Sequence, residues 1–281
     1  MWLMALFTFR EVWRKKVVIV VGVLTLGFLV LYGTGLHFIG ENLNWQANSL
    51  EYMQGILVFV LGVYFAGFLV AGLSIMSAVG SISGEIENGT IPTLATRPLS
   101  RSSLLLGKFA GQAAVLVTYA AFFFLALAGL LYWQVGMMIP GLLPALGLFV
   151  LEPVVLLAIT MWGTTRLPTM GNGILAFSLY ALAVVGGMIE QIGALLNSTP
   201  AVYAGVITSL LLPVDSLYRR LVAEIGEKVP FSSQMGFVDP QDFLGPFGSP
   251  STPSDWMIIY TLMYIVLSLA AAVYFFNRRD I

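Results

Sequence analysis

Six long apolar runs, each closed by charges, prolines or polar clusters, organise this chain. They fall near residues 17–37, 55–83, 104–132, 141–163, 174–196 and 256–276. A helix that crosses a bilayer needs about 20 such residues, so each run is long enough to span. The apolar stretch 201–214 (AVYAGVITSLLLPV) is too short to cross and ends at Pro213, which predicts a re-entrant or interfacial piece. The pattern therefore predicts an all-α polytopic membrane protein, one transmembrane domain over residues 1–281.

The segments between the runs have patterns of their own. Over residues 1–16, Trp2, Leu6, Phe9 and Trp13 recur at helical spacing, with Arg10, Glu11, Arg14 and Lys15 around the other side. That arrangement suits a helix lying in the membrane interface. The first run follows at once and is long enough to stay in the membrane, so it does not read as a cleaved signal. The segment 197–255 before the last run is mixed. Asp215 is placed to N-cap a helix whose apolar stripe is Leu217, Leu221 and Ile225. Glu224 and Lys228 form an i,i+4 pair, and Pro230 follows the expected helix end. Residues 230–254, rich in Pro, Gly and Ser, read as a cap over one mouth of the bundle or as a tether.

Composition and charge add direction. The chain is 58% hydrophobic and 10% charged, against about 25% charged in a soluble domain. With six spans, both termini and the loops 84–103 and 164–173 share a side, which holds ten Lys and Arg: Arg10, Arg14, Lys15, Lys16, Arg97, Arg101, Lys108, Arg166, Arg278 and Arg279. The other side holds Arg219, Arg220 and Lys228. The positive-inside rule then puts both termini in the cytoplasm of a cell-membrane protein. A net charge of −1 offers no basic footprint for nucleic acid. With no cysteine and only His37, thiolate or multi-histidine metal sites are excluded within one chain.

Catalytic patterns fail on specific positions. "LLLGKF" ends in Gly107-Lys108 like a phosphate-binding loop, but Ser102 stands where that loop needs glycine and Phe109 where it needs a hydroxyl. Lys108 is more simply an anchor at the cytoplasmic start of the third span. Ser83 resembles a membrane-protease serine, yet His37 lies at the opposite end of the bilayer, about 30 Å away. Two acids fall within spans: Glu152, mid-span beside the helix breaker Pro153, and Glu190, in the outer part of the fifth span within reach of the interface. An ionisable group at membrane depth marks a substrate path, a gate or a hydrogen-bonded packing site. In the second span Gly62, Ala66 and Val70 share a row beside Gly67 and Ala71, the spacing of close helix packing.

The polar loop between spans two and three carries the most specific signal. Gly84-Glu85, Glu87, Gly89-Thr90, Leu94, Pro98, Ser100-Arg101 and Gly107-Lys108 resemble the signature of ABC-2 type transporter permeases, and the tail Phe276-Asn277-Arg278-Arg279-Asp280-Ile281 resembles that family's ending. The resemblance implies a fold of six spans with an interfacial N-terminal helix and a cytoplasmic coupling helix in the loop 84–103. It implies a permease without ATPase activity, paired with a cytoplasmic ATP-binding subunit that holds ATP and Mg, and with a second permease copy or paralogue. No cofactor or metal is expected in this chain. Contact with the ATP-binding subunit is expected at Glu85, Glu87, Gly89, Thr90, Leu94, Arg97, Pro98 and Arg101. Thr90 would cap the coupling helix, Pro98 end it, and Ser100 cap the third span. Pro92 departs from the plain helix former that many relatives carry. The expected function is export driven by the partner's ATP hydrolysis. The alternatives from the residues are a secondary transporter or channel using Glu152, and a membrane scaffold for an extracytoplasmic partner.

Overall fold

The structure, a computed structural model, describes residues 2–13, 16–40, 49–87, 101–228 and 244–278. Among them all regular structure is helical: α1 (Trp2–Trp13), α2 (Lys16–Gly40), α3 (Ser49–Ala78), α4 (Ser83–Glu87), α5 (Arg101–Val135), α6 (Leu142–Thr164), α7 (Thr169–Leu195), α8 (Thr199–Leu211), α9 (Val214–Gly226) and α10 (Trp256–Arg278). A short 3-10 turn, Gly245–Phe247, precedes α10. Among the described residues, six helices are long and apolar enough to cross a membrane: α2, α3 continued through α4, α5, α6, α7 and α10. The chain is an all-α polytopic membrane protein. A seventh crossing arises only if α8 and α9, bent by 110°, are counted as one span.

The helix α6 lies at the centre of the bundle and packs against α3, α5, α7, α9 and α10. Its residues explain the position: Ala145, Leu148, Phe149, Val155, Leu156 and Ala158 are buried on several sides, as expected of a helix that is apolar all round. By contrast, α2 and α10 bury only 22% and 17% of their apolar stretch, so most of their surface is left for lipid. Pro153 sits inside α6 and the helix continues through it, so the expected break is absent. Ser74 of α3 donates to the Pro153 carbonyl at 2.8 Å, one of the bonds joining the two central helices.

Close approaches depend on small residues. The row in α3 packs within this chain: Ala66, Val70 and Ala71 are fully buried, the Tyr32 ring lies over Gly62, and the Glu152 carboxyl lies over Gly67. The α1 helix rests on α5 where Gly111 has no side chain to hold them apart. It presents Thr8 and Val12 to the bundle, while Leu6 and Trp13 stay exposed. The Trp2 side chain, Arg14 and Lys15 lie outside the described residues, as do 88–100, Pro230 with 229–243, and 279–281.

The bent pair has a local cause. At about 1.5 Å per residue, the 13 residues of α8 reach about 20 Å, short of a bilayer core. The chain then turns at Leu212 and Pro213. The free carbonyls at the end of α8 accept hydrogen bonds from two tyrosines of α10, Tyr260 to Leu210 at 2.6 Å and Tyr264 to Leu211 at 3.0 Å. The last span thus caps α8 and holds the bend. Residues 244–254 fold onto the same end, with Leu244 and Ser249 buried and the Phe247 carbonyl accepting from Tyr218.

Candidate functional site

Two polar constellations are built into this apolar bundle, one at each end of the spans. The first surrounds the entry to the loop 88–100. The second lies where α7, α8 and α9 meet, with Glu152 of α6 beside it.

At the loop entry, α3 ends at Ala78 with unsatisfied carbonyls, as any helix does. Two side chains of α5 fasten this end: Gln112 donates to Ser77 O of α3 at 3.2 Å, and Lys108 to Ser81 O, in the turn that follows, at 2.6 Å. Lys108 also pairs with Glu85 at 2.5 Å. It is only 6% exposed, so it does not snorkel as a surface anchor; it fastens the end of the second span to the third. A cation at a helix C-terminus is also favoured by the helix dipole.

Glu87 makes the complementary contact. Its two carboxylate oxygens accept from the Thr169 N–H at 2.8 Å and the Thr169 hydroxyl at 3.0 Å. Thr169 is the first residue of α7, and Pro168 before it supplies no side-chain cap. Glu87 therefore acts as the missing N-cap from another helix, with an anion placed at the positive end of the dipole. Ser83 adds a bond to the Thr169 hydroxyl at 2.8 Å. Of the expected loop residues, Glu85 and Glu87 are thus brought onto two different spans. Arg101 begins α5 and donates to Asn277 O at 3.5 Å. Gly89, Thr90, Leu94, Arg97 and Pro98, with Pro92 and Ser100, lie outside the described residues.

In the second constellation, Glu190 is turned into the bundle. It is 3% exposed and pairs with Arg219 at 2.5 Å. Asp215 is the second residue of α9 and not its cap; its Oδ2 accepts from Arg219 Nε at 2.8 Å. The guanidinium also donates to the Ser209 hydroxyl at 2.8 Å and to Ser251 O at 3.3 Å, while the Ser251 hydroxyl donates to Glu190 at 2.8 Å. A planar fork of five donors suits such a set of partners. Glycines make room for it: a methyl group on Gly187 would overlap the Asp215 carboxyl, one on Gly186 the Thr208 side chain, and one on Gly205 the Glu190 side chain. Arg220, on the same helix, pairs with Glu224 at 3.2 Å and with Asp255 at 2.6 Å, just before α10. The Glu224–Lys228 pair forms at 3.1 Å.

A family model described as ABC-2 family transporter protein matches residues 3–281. The chain belongs to the ABC-2 transporter family. A curated relative, the probable ABC transporter permease protein NosY of Stutzerimonas stutzeri, is 36% identical over 83 residues, covering 25% of this chain and 30% of the relative. The match thus spans less than a third of that relative's length.

In this ABC-2 protein, sequence reasoning singled out Glu152 and Glu190 but missed Arg219, the residue that organises the buried cluster. The signal was readable. Asp215, Arg219, Val222 and Gly226 share one face of α9, so an i,i+4 acid–base pair sits on an apolar row. Thr169 carried no such signal, because its partner Glu87 is 82 residues away.

Proposed function

We propose that this chain is the membrane-spanning permease subunit of an ATP-driven transporter that moves its substrate outward. A separate cytoplasmic subunit would bind ATP and Mg, and two permease copies or paralogues would form the membrane core. Both termini and the loop 84–103 would face that ATP-binding subunit, in keeping with the ten-to-three division of Lys and Arg.

The observation that carries the reading is how the loop begins. In a chain of this family, Glu85 binds Lys108 of α5 and Glu87 caps α7, so the loop entry is fastened to two spans besides the one it leaves. A displacement of the loop by a partner would reach α5 and α7 through charge-assisted bonds of 2.5 and 2.8 Å, with little slack. The α7 helix packs along α8, so the same motion would arrive at the bent pair at the other end. Glu85, Glu87, Gly89, Thr90, Leu94, Arg97, Pro98 and Arg101 are the proposed contacts with the ATP-binding subunit.

The test is co-expression with an ATP-binding subunit encoded nearby, followed by co-purification and ATP-dependent transport in vesicles. Replacing residues 89–98 with a Gly-Ser stretch of equal length should release the subunit. Thr169→Ala should leave it bound and slow transport. If the subunit stays bound to the Gly-Ser variant, the loop is not its docking site and the reading is wrong.

A further inference from the structure

The Glu152 carboxyl is left out of every network described above. Glu152 is 5% exposed, lies mid-way along α6, and has no hydrogen-bond or ion-pair partner among the described residues. Both its oxygens face Gly67 of α3, 3.4 Å from where a Cβ would stand. It borders a cavity of about 20 Å³, whose other polar walls are Tyr64 of α3, Tyr180 of α7, and Asp215 and Tyr218 of α9. Those four are the titratable groups that line the space with Glu152. Tyr218 donates its hydroxyl away from the cavity, to Phe247 O.

Charge does not balance here. Glu152, Asp215 and Glu190 are three buried acids, and the cluster holds one guanidinium, Arg219. Arg219 is bound to Asp215 and Glu190, and Arg220 is bound to Glu224 and Asp255. An uncompensated carboxylate at membrane depth is costly, and it either takes up a proton or draws a counter-charge. The space available decides its size. A single water needs roughly 10–15 Å³ measured this way, so the cavity takes one occupant of about that size. A hydrated ion or an organic cation is too large. The donors are all oxygens, carboxylate and phenol, which suit hard cations. Of the two carboxylates on the cavity wall, Asp215 is already paired with Arg219, which leaves one negative charge for the occupant and suits a monovalent cation.

We propose that the cavity between Glu152 and Asp215 is a binding site for one dehydrated monovalent cation, with Glu152 as its principal ligand and Tyr64 and Tyr180 as neutral ligands. The site is independent of the ATP-binding partner proposed above. Either reading can fail without the other.

The experiment uses the purified full-length chain in lipid nanodiscs. Its unfolding midpoint is followed while sodium, lithium or potassium chloride replaces choline chloride at constant ionic strength, and again over a pH series at fixed salt. The expected result is a rise of the midpoint with at least one alkali cation over choline, setting in near the dissociation constant and growing by equal steps per tenfold excess above it. Glu152→Gln, which keeps the shape and removes the charge, should abolish that rise. Tyr180→Phe, which keeps the ring, should move the onset of the rise to a several-fold higher concentration. If Glu152→Gln does not fold, Tyr180→Phe and Tyr64→Phe carry the test alone, and an unchanged onset of the rise in both sinks the proposal. An equal response to choline, an undiminished response in a folded Glu152→Gln, or a response to pH without one to alkali ions would each overturn it. In the last case Glu152 holds only a proton.

Discussion

Arg219→Met is the most informative perturbation of the buried cluster. It keeps an unbranched apolar stem and deletes the guanidinium that binds Glu190, Asp215, Ser209 and Ser251. Arg219 and Glu190 are each 3% exposed and Asp215 is 8% exposed, so water does not replace the lost partner. Removing one member of such a buried pair costs about 3–5 kcal/mol, most of it the penalty of an uncompensated buried charge. The same argument predicts a rescue. Neutralising both orphaned acids, as in Arg219→Met with Glu190→Gln and Asp215→Asn, removes that penalty and should recover at least half of the loss. Glu190→Gln alone keeps an oxygen to accept from Ser251 and Arg219, and should cost about 1–3 kcal/mol. Unfolding of the detergent-solubilised protein, followed by the fluorescence of its six tryptophans, gives the ranking. A Met variant within about 1 kcal/mol of the parent, or a triple variant no better than the single one, would refute the reasoning.

Other consequences are as direct. Gly187→Ala places a methyl group on the Asp215 carboxyl and should destabilise by about 1–3 kcal/mol. Gly129→Ala and Gly147→Ala meet nothing within 4 Å, so they should be neutral or gain up to about 1 kcal/mol in the same assay. Lys108→Met leaves Glu85, 27% exposed, without its cation, and should cost about 2 kcal/mol. Adding Glu85→Gln should return part of that, and no recovery would mean the pair contributes nothing. Glu87→Ala removes the cap of α7 and should cost about 1 kcal/mol. Hydrogen exchange should then speed up at the start of α7 and not at its end, whereas uniform protection throughout α7 would argue against the cap.

Much of the fold was legible because lipid imposes a simple rule. Each expected apolar run overlaps one of the six long helices, to within a few residues at the ends. The short run at 201–214 was recognisable by length, and the structure adds the second helix and the 110° bend. The candidate site was less legible. Lys108 read as an interfacial anchor, because snorkelling is the common fate of a lysine near a helix end. It is buried instead, because the Ser81 carbonyl, in the turn after α3, and Glu85 converge on it. Glu190 read as an acid open to the interface, and Asp215 as a cap; both are buried and bound by Arg219. Each misplacement concerns a polar group whose partner is distant in sequence, or whose burial depends on which helix lies over it.

The sequence by itself determined that this chain is a bundle of membrane-crossing helices of the ABC-2 family, because hydropathy, span length and the loop signature are written locally. Tertiary structure alone decided which polar side chains meet. Glu87 and Thr169 are 82 positions apart, and Glu190 and Arg219 are 29 apart. No periodicity links them. They are joined because buried charges and helix ends must find partners where water is absent, and only the packing of α3, α5, α7 and α9 determines which partners are within reach.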